Sequence, residues 1–256
     1  MPERGTPLLR AERLLKRFGG LEAVNQVGFE VNAGEIVGLI GPNGAGKSTV
    51  FNLITGAMSC DDGKVFFLNE DITRAGQRRI AEVGIARTFQ HVKLRPTMSL
   101  IDNVLRGTYM RTRAGFLAGA LRLDGAEERR ARFEALMQLK RVGFGSDVYG
   151  LTGNLPLGRQ RILEVARALA ADPALIILDE PAAGLSRPEK IALANLLQAL
   201  HNEGVTVLLV EHDVEFVMAL VDRIVVMDFG VKLVEGAPAA VRADPRVQEA
   251  YLGSVA

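Results

Sequence analysis

The sequence predicts an α/β fold built on a buried sheet, and three observations carry that prediction. First, short apolar runs rich in Val, Ile and Leu recur at residues 35–40, 174–178 and 205–210. They are continuous rather than alternating, the pattern of strands covered on both faces. Second, segments with helical spacing alternate with those runs, as at residues 47–57, 188–204 and from 155–160 to before Pro173. Third, each run ends in a glycine-rich or polar stretch: residues 41–49, Asp179-Glu180, and Glu211-His212-Asp213. In parallel α/β sheets, ligand chemistry gathers at that carboxyl edge.

The first of these stretches is the most specific. Gly41, Pro42, Asn43, Gly44, Ala45, Gly46, Lys47, Ser48 and Thr49 fit the phosphate loop G-x-x-x-x-G-K-[ST]. Glycines let the backbone turn tightly enough to aim several N–H groups at one anion. Lys47 supplies a point charge for β- and γ-phosphates, and the Ser48 hydroxyl suits Mg²⁺. The loop opens a helix at residues 47–57, whose positive N-terminal end favours the same anion. A nucleoside triphosphate is the implied ligand.

Bulk properties bound the remaining classes. A chain of 256 residues with 48% hydrophobic and 24% charged residues has an ordinary globular composition. No run approaches the ~18 apolar residues of a membrane span, and no signal peptide is visible. A net charge of +1 gives no global field for nucleic acid. Cys60 is the lone cysteine, which excludes an internal disulfide and fits a reducing, cytoplasmic setting.

Taken in order, residues 7–34 read as β-rich, with a half-buried strand at 27–31 and a turn at Asn32-Ala33-Gly34. Phe18 ends the preceding strand and is either an adenine-stacking ring or core filler. Turns at 61–63 and 69–70 bracket a strand at 64–68, and a further strand is expected at 84–89. Gln90 follows it, as a surface residue or as a neutral ligand to the metal at the phosphates. Residues 91–157 form a helical insertion, with helical spacing at 100–107 and 125–142 and mixed charge that suits a solvated face. Between Arg113 and Arg122 lies an uncharged, glycine-containing stretch, either subdomain core or an apolar surface for a partner.

A long helix opens at Leu155, Pro156, Leu157, Gly158, Arg159 and Gln160 and stops before Pro173, with Ile162, Leu163, Ala166, Leu169 and Ala170 as its apolar stripe. Asp179 suits a magnesium shell and Glu180 a base for water. His212 emerges at the same edge. His91, His201 and His212 lack metal-ligand spacing. Residues 224–228 and 231–235 read as a hairpin, so Asp228-Phe229-Gly230 is a turn and not a kinase motif.

Assembled, these stretches resemble the ATP-binding cassette of ABC transporters over nearly the whole chain. The likeness implies a RecA-like P-loop core with an antiparallel β subdomain (about 7–90 and 158–235), a helical subdomain (about 91–157) and a C-terminal helical extension (236–256). It assigns an aromatic A-loop to Phe18, Walker A to 41–49, the Q-loop to Gln90 and the signature to 155–160. Walker B falls at 175–180, a D-loop near 183–186 and the switch histidine at His212. Residues 84–90, 180–185 and 249–253 are more specifically similar to the larger ATPase paralogue of branched-chain amino acid importers, which carries an extended segment matching 107–125.

That resemblance implies ATP and Mg²⁺ as ligands and two cassettes facing head to tail, as a homodimer or with a smaller paralogue. It also implies two membrane permease subunits, a substrate-binding protein acting indirectly, and a peripheral place on the cytoplasmic face of the inner membrane. Glu180 would polarise water, His212 and Lys47 would hold phosphate, and Gln90 would report nucleotide state. Two departures stand out: Leu-Pro-Leu-Gly replaces the usual Leu-Ser-Gly-Gly signature, and Ser186 occupies a D-loop position often held by Asp or Asn. A transporter for another cargo (urea, amide, lipopolysaccharide) or a soluble non-transport ATPase is the alternative. A GTPase is excluded by the lack of Asn-Lys-x-Asp.

Overall fold

Two sheets of different character organise the chain in the computed structural model, which describes residues 3–88, 93–108, 125–145 and 147–252. Strands β1 (Pro7–Phe18), β2 (Leu21–Asn32), β4 (Asp62–Phe67) and β5 (Glu70–Asp71) pair antiparallel in the order β2-β1-β4-β5. Val27, Phe29 and Val31 are buried while Glu30 between them is exposed, so one face turns inward as the alternation predicts.

The second sheet holds β3 (Ile36–Ile40), β6 (Ile85–Arg87), β7 (Leu175–Asp179), β8 (Thr206–Val210), β9 (Arg223–Asp228) and β10 (Val231–Gly236). Its order is β10-β9-β3-β8-β7-β6, parallel except where β10 returns beside β9. Every residue of β3, β7 and β8 is buried. Alternate residues serve two cores. Ile36, Ile40, Ile176, Leu178, Val207 and Leu209 face one helical layer. Val37, Leu39, Ile177, Leu208 and Val210 pack with the antiparallel sheet and with α1 (Lys47–Ile54).

The remaining helices are α2 (Gln77–Glu82), α3 (Leu100–Thr108), α4 (Gly125–Arg141), α5 (Leu157–Ala170), α6 (Arg187–Asn202), α7 (Val214–Met218), α8 (Pro238–Ala243) and α9 (Pro245–Leu252). No helix among the described residues is long and apolar enough to cross a membrane.

Several boundaries differ from the sequence expectation for local reasons. Helix α1 stops at Ile54 rather than 57, because Gly56 turns left-handed (φ 64°) and the Ala57 and Met58 N–H groups both reach the Asn52 carbonyl. The strand expected at 64–68 starts at Asp62, and its turn is Leu68-Asn69, both at positive φ, rather than Asn69-Glu70. The strand expected at 84–89 is paired over Ile85–Arg87; Phe89 and Gln90 lie outside the described residues. Helix α5 begins at Leu157, because Pro156 is extended (ψ 158°) and serves as N-cap. Its buried surface is also wider than one stripe, taking in Arg161, Glu164 and Val165. Helix α6 has a capping box in which Ser186 and Glu189 bond reciprocally, with Pro188 in the first turn and Gly204 left-handed after the end.

Candidate active site

The loop between β3 and α1 is shaped by what lies beneath it. A Cβ on Gly41 would sit 2.1 Å from the Met227 carbonyl oxygen, and one on Gly46 would sit 2.3 Å from that of Ala23. Both residues also hold positive φ, 155° and 93°, so glycine is required twice over. Strand β9 and the β2 backbone thus pin the loop against the sheet edge. The Ala45 carbonyl accepts from the Gly230 N–H at 3.2 Å, tying the loop to the β9–β10 turn.

Lys47 is buried, and its Nζ donates to the Gly41 and Pro42 carbonyl oxygens at 2.6 and 2.8 Å. Burial pushes its pKa down, and the Glu180 charge opposes that shift. The Gly46 cap makes no side-chain hydrogen bond and the first turn of α1 carries no acid, so the helix end offers backbone N–H groups and positive potential unopposed. These residues fit a polyphosphate. Ser48 is exposed at this end and Thr49 half-buried, whereas Asn43 and Gly44 form the exposed crest.

Strand β7 delivers Asp179 and Glu180 to the same edge. Asp179 is held by Arg87 of β6, whose Nη2 lies 3.3 Å from Oδ2. Burial pushes the Asp179 carboxyl up, and the Arg87 guanidinium pulls it back. Arg87 also donates to Asn52 Oδ1 (3.0 Å) on α1 and to Thr55 Oγ1 (2.8 Å) just past its end, and stacks on the Phe51 ring at 4.2 Å. One side chain therefore links the acidic strand end to the phosphate-loop helix. Glu180 takes a left-handed backbone (φ 46°) as the chain leaves the strand, and its charge acts on Lys47.

Strand β8 supplies the third group. His212 is half-exposed, its Nδ1 3.9 Å from Glu180 Oε2 and 3.7 Å from Glu211 Oε2. Neither is a hydrogen bond, so the imidazole keeps both nitrogens for a ligand as far as these carboxylates go. Glu211 itself is fully buried, accepting from the backbone N–H of Ala182 at 2.7 Å.

The start of α5 lies beside the first turn of α6. Pro156 offers no capping hydroxyl, and the Gly158 N–H donates instead to Glu189 Oε1 at 3.1 Å. The Arg159 guanidinium stacks on Phe144 at 4.0 Å and donates to the Gly143 carbonyl at 3.1 Å. Gln160 Nε2 donates to the Leu155 carbonyl at 2.8 Å, closing the turn, while Leu157 is exposed.

Comparison with known proteins decides the family. Residues 24–183 match the family model described as ABC transporter, and residues 231–256 match that described as branched-chain amino acid ATP-binding cassette transporter. The chain is 42% identical over 252 residues to the high-affinity branched-chain amino acid transport ATP-binding protein LivG of Escherichia coli (strain K12), covering 96% of this chain and 98% of that one. It is 40% identical over 250 residues to the corresponding protein BraF of Pseudomonas aeruginosa, covering 96% and 98%. The chain belongs to the ABC transporter ATP-binding family.

Among solved structures it is similar to an ATP-binding cassette of an ABC transporter in its ADP conformation, with a TM-score of 0.86 at 32% identity over 97% of this chain and 99% of that one. A nucleotide-free cassette gives 0.84 at 31% identity, covering 96% and 99%. The cassette is therefore a nucleotide-binding ATPase whose hydrolysis is coupled to transport.

Within the cassette, the fold brings Walker A, Asp179-Glu180 and His212 to one sheet edge. Phe18 lies at the end of β1, 47% exposed, with Lys16 Nζ 5.9 Å from its ring centroid. Gln90 lies outside the described residues, as do 109–124 of the extended segment. Among the described residues no cluster of three or more His, Cys, Asp or Glu is arranged to hold a metal.

Three residues escaped the sequence reading. Arg87 and Glu211 were visible only as members of motifs assigned to their neighbours. Tyr251, from α9, lies against the Gly41 backbone, and burial pushes its phenol up to about 12. The C-terminal segment that marks the subfamily thus touches the first residue of Walker A.

Proposed function

We propose that this cassette is the ATP-hydrolysing motor of an importer for branched-chain amino acids. The observation that carries the reading is the match of residues 231–256 to the branched-chain cassette model, on a chain whose acid pair, lysine and histidine share one edge. The relatives named for branched-chain amino acid transport support the same cargo.

In this reading Lys47, the Walker A backbone from Gly41 to Thr49, and the α1 end bind the phosphates, while Phe18 stacks on the base. Ser48, Asp179 and Gln90 would hold Mg²⁺, which would supply charge neutralisation at the transferring phosphoryl group. Glu180 accepts a proton from the attacking water, and its place near Lys47 and His212 supports that role. His212 steadies the γ-phosphate.

A second cassette contributes its signature, residues 155–160, across a head-to-tail dimer. A dimeric cassette bound to ADP and Pi, similar at TM-score 0.74 and 25% identity over 90% of this chain and 99% of that one, supports such an arrangement. The α5 end engages the nucleotide without a signature serine, through backbone N–H groups near Gly158, whose own N–H exchanges Glu189 for phosphate.

Residues 7–90 and 158–235 form the core with its β subdomain, 91–157 the helical subdomain and 236–256 an extension. A cleft of about 790 Å³ runs between α2 and the segment from Lys93 to Pro96, lined by Ile80, Leu94, Arg106 and Arg167. We place a permease subunit there, on the cytoplasmic face of the membrane, with a substrate-binding protein on the far side.

The testing experiment is a mild-detergent pull-down of tagged Glu180→Gln with ATP, paired with radiolabelled leucine uptake in cells lacking the wild-type chain. Two membrane subunits and a second cassette should co-purify, and uptake should fail unless wild type is restored. Recovery of ribosomal or DNA-bound factors, or uptake unaffected by the variant, would overturn the reading.

A further inference from the structure

A buried carboxylate with no part in the proposed chemistry lies between the two loops that carry it. We propose that Glu211 is a positioning residue: its carboxylate locks the turn after Glu180 to the loop of His212, so that both groups meet the nucleotide in register. The inference rests on the roles proposed for Glu180 and His212.

Glu211 is fully buried, and both of its oxygens are engaged. Oε1 accepts from the Ala182 N–H at 2.7 Å, two residues beyond Glu180. Oε2 accepts from the N–H groups of His212 at 3.1 Å and Asp213 at 3.4 Å. The residue itself is anchored to the sheet, its N–H donating to the Leu39 carbonyl at 3.3 Å. One side chain therefore fastens the β7 turn to the end of β8, beside the strand that feeds Walker A.

The β7 turn needs fastening. Glu180 sits at φ 46°, a conformation that a non-glycine residue keeps only when its surroundings over-determine it. Its own N–H bonds to the Val210 carbonyl at 2.8 Å, and its carbonyl accepts from Ala183 at 3.1 Å. The Ala182–Glu211 bond supplies a further restraint, from the loop that carries His212.

The chemistry of the side chain is specific to that task. The groups hydrogen-bonded to it are the backbone N–H donors of Ala182, His212 and Asp213, with the His212 imidazole 3.7 Å away, and an ionised carboxylate is acceptor-only. A glutamine of the same size would turn its NH₂ toward at least one N–H. A carboxylate buried merely to fill space would be costly, because burial disfavours its charge. Burial does push the Glu211 pKa up, with the N–H groups of Ala182, Asp213 and His212 pulling against it.

The test measures steady-state ATP hydrolysis and binding of the fluorescent analogue mant-ATP by purified Glu211→Gln and Glu211→Met. Glu180→Gln and His212→Ala serve as references. Misplacing reacting groups by about an ångström lowers turnover up to roughly 100-fold. The kcat of Glu211→Gln should fall about ten-fold and that of Glu211→Met further, with KM and mant-ATP Kd within about two-fold of wild type. A wild-type kcat in Glu211→Gln overturns the inference. So does a matching loss of mant-ATP affinity in that variant, the signature of a general structural role. Should Glu211→Met not fold, Glu211→Gln alone decides. Inactive references beside a normal Glu211→Gln would sink only the positioning role. References as active as wild type would instead overturn the assignments of Glu180 and His212 and the inference with them.

Discussion

Lys47 holds its ammonium against two carbonyls of its own loop, which fixes the charge within the phosphate loop. Replacing those contacts with phosphate contacts trades neutral acceptors for charged ones, each worth about 1.5–3 kcal/mol. Lys47→Ala should accordingly weaken mant-ATP binding by roughly 10–100-fold, read by fluorescence titration. Glu180→Gln should keep that affinity while kcat drops by about 10²–10⁴, the range for losing a general base. Arg87 is a different case. It joins Asp179 to α1, and both side chains are largely buried. Arg87→Met leaves a buried acid unpaired, so unfolding free energy should fall by about 3 kcal/mol, measured from urea midpoints. The motif residues among these were legible in the sequence because the chemistry demands their types at fixed spacing. Arg87 was not, since its partner stands 92 residues away and only strand pairing makes them neighbours.

Helix α5 shows where periodicity stops informing. Its apolar positions declared a helix, but Glu164 and Arg161 are buried as well, because α3 and α4 pack on faces that an isolated amphipathic helix would expose. Glu164 accepts from the Lys93 N–H at 3.0 Å, and Arg167 donates to the Lys93 carbonyl at 2.9 Å, so α5 grips the chain on both sides of that residue. Burial pushes the Glu164 carboxyl up. Between the ordinary carboxylate range and that raised value, the folded chain keeps a proton that the unfolded chain has lost. This contribution to stability is full in acid and is lost as pH rises through that window. As pH rises from the ordinary carboxylate range through the raised Glu164 pKa, the urea midpoint should therefore fall more in wild type than in Glu164→Gln. Leu163, fully buried on the same helix, should cost about 3 kcal/mol when cut to alanine, by the same measurement.

At the scale of the molecule, the proposed cycle turns on a dimer that ATP holds together. Two polyanions at a shared interface stabilise closure only while the γ-phosphate bridges it. In sedimentation velocity with ATP and Mg²⁺, Glu180→Gln should run at twice the monomer mass, whereas Lys47→Ala should stay monomeric. A monomeric Glu180→Gln under saturating ATP would remove the closed pair from the mechanism.

The sequence by itself determined the α/β class, the phosphate loop, and the order of motifs along the chain. These depend on local rules: continuous apolar runs make buried strands, and tight backbone turns at a phosphate require glycine. It also marked Asp179, Glu180 and His212, because polar residues ending apolar strands have one physical place to go. The tertiary structure alone decided what surrounds them. The register of β6, β7 and β8 set Arg87 on Asp179, and the loops after β7 and β8 closed Glu211 onto Ala182. The packing of α6 against the start of α5 put Glu189 on the Gly158 N–H, beside an N-cap proline whose side chain has no oxygen to offer. Such contacts join residues far apart in the chain, and no local pattern encodes them; they follow from which surfaces the sheet brings together.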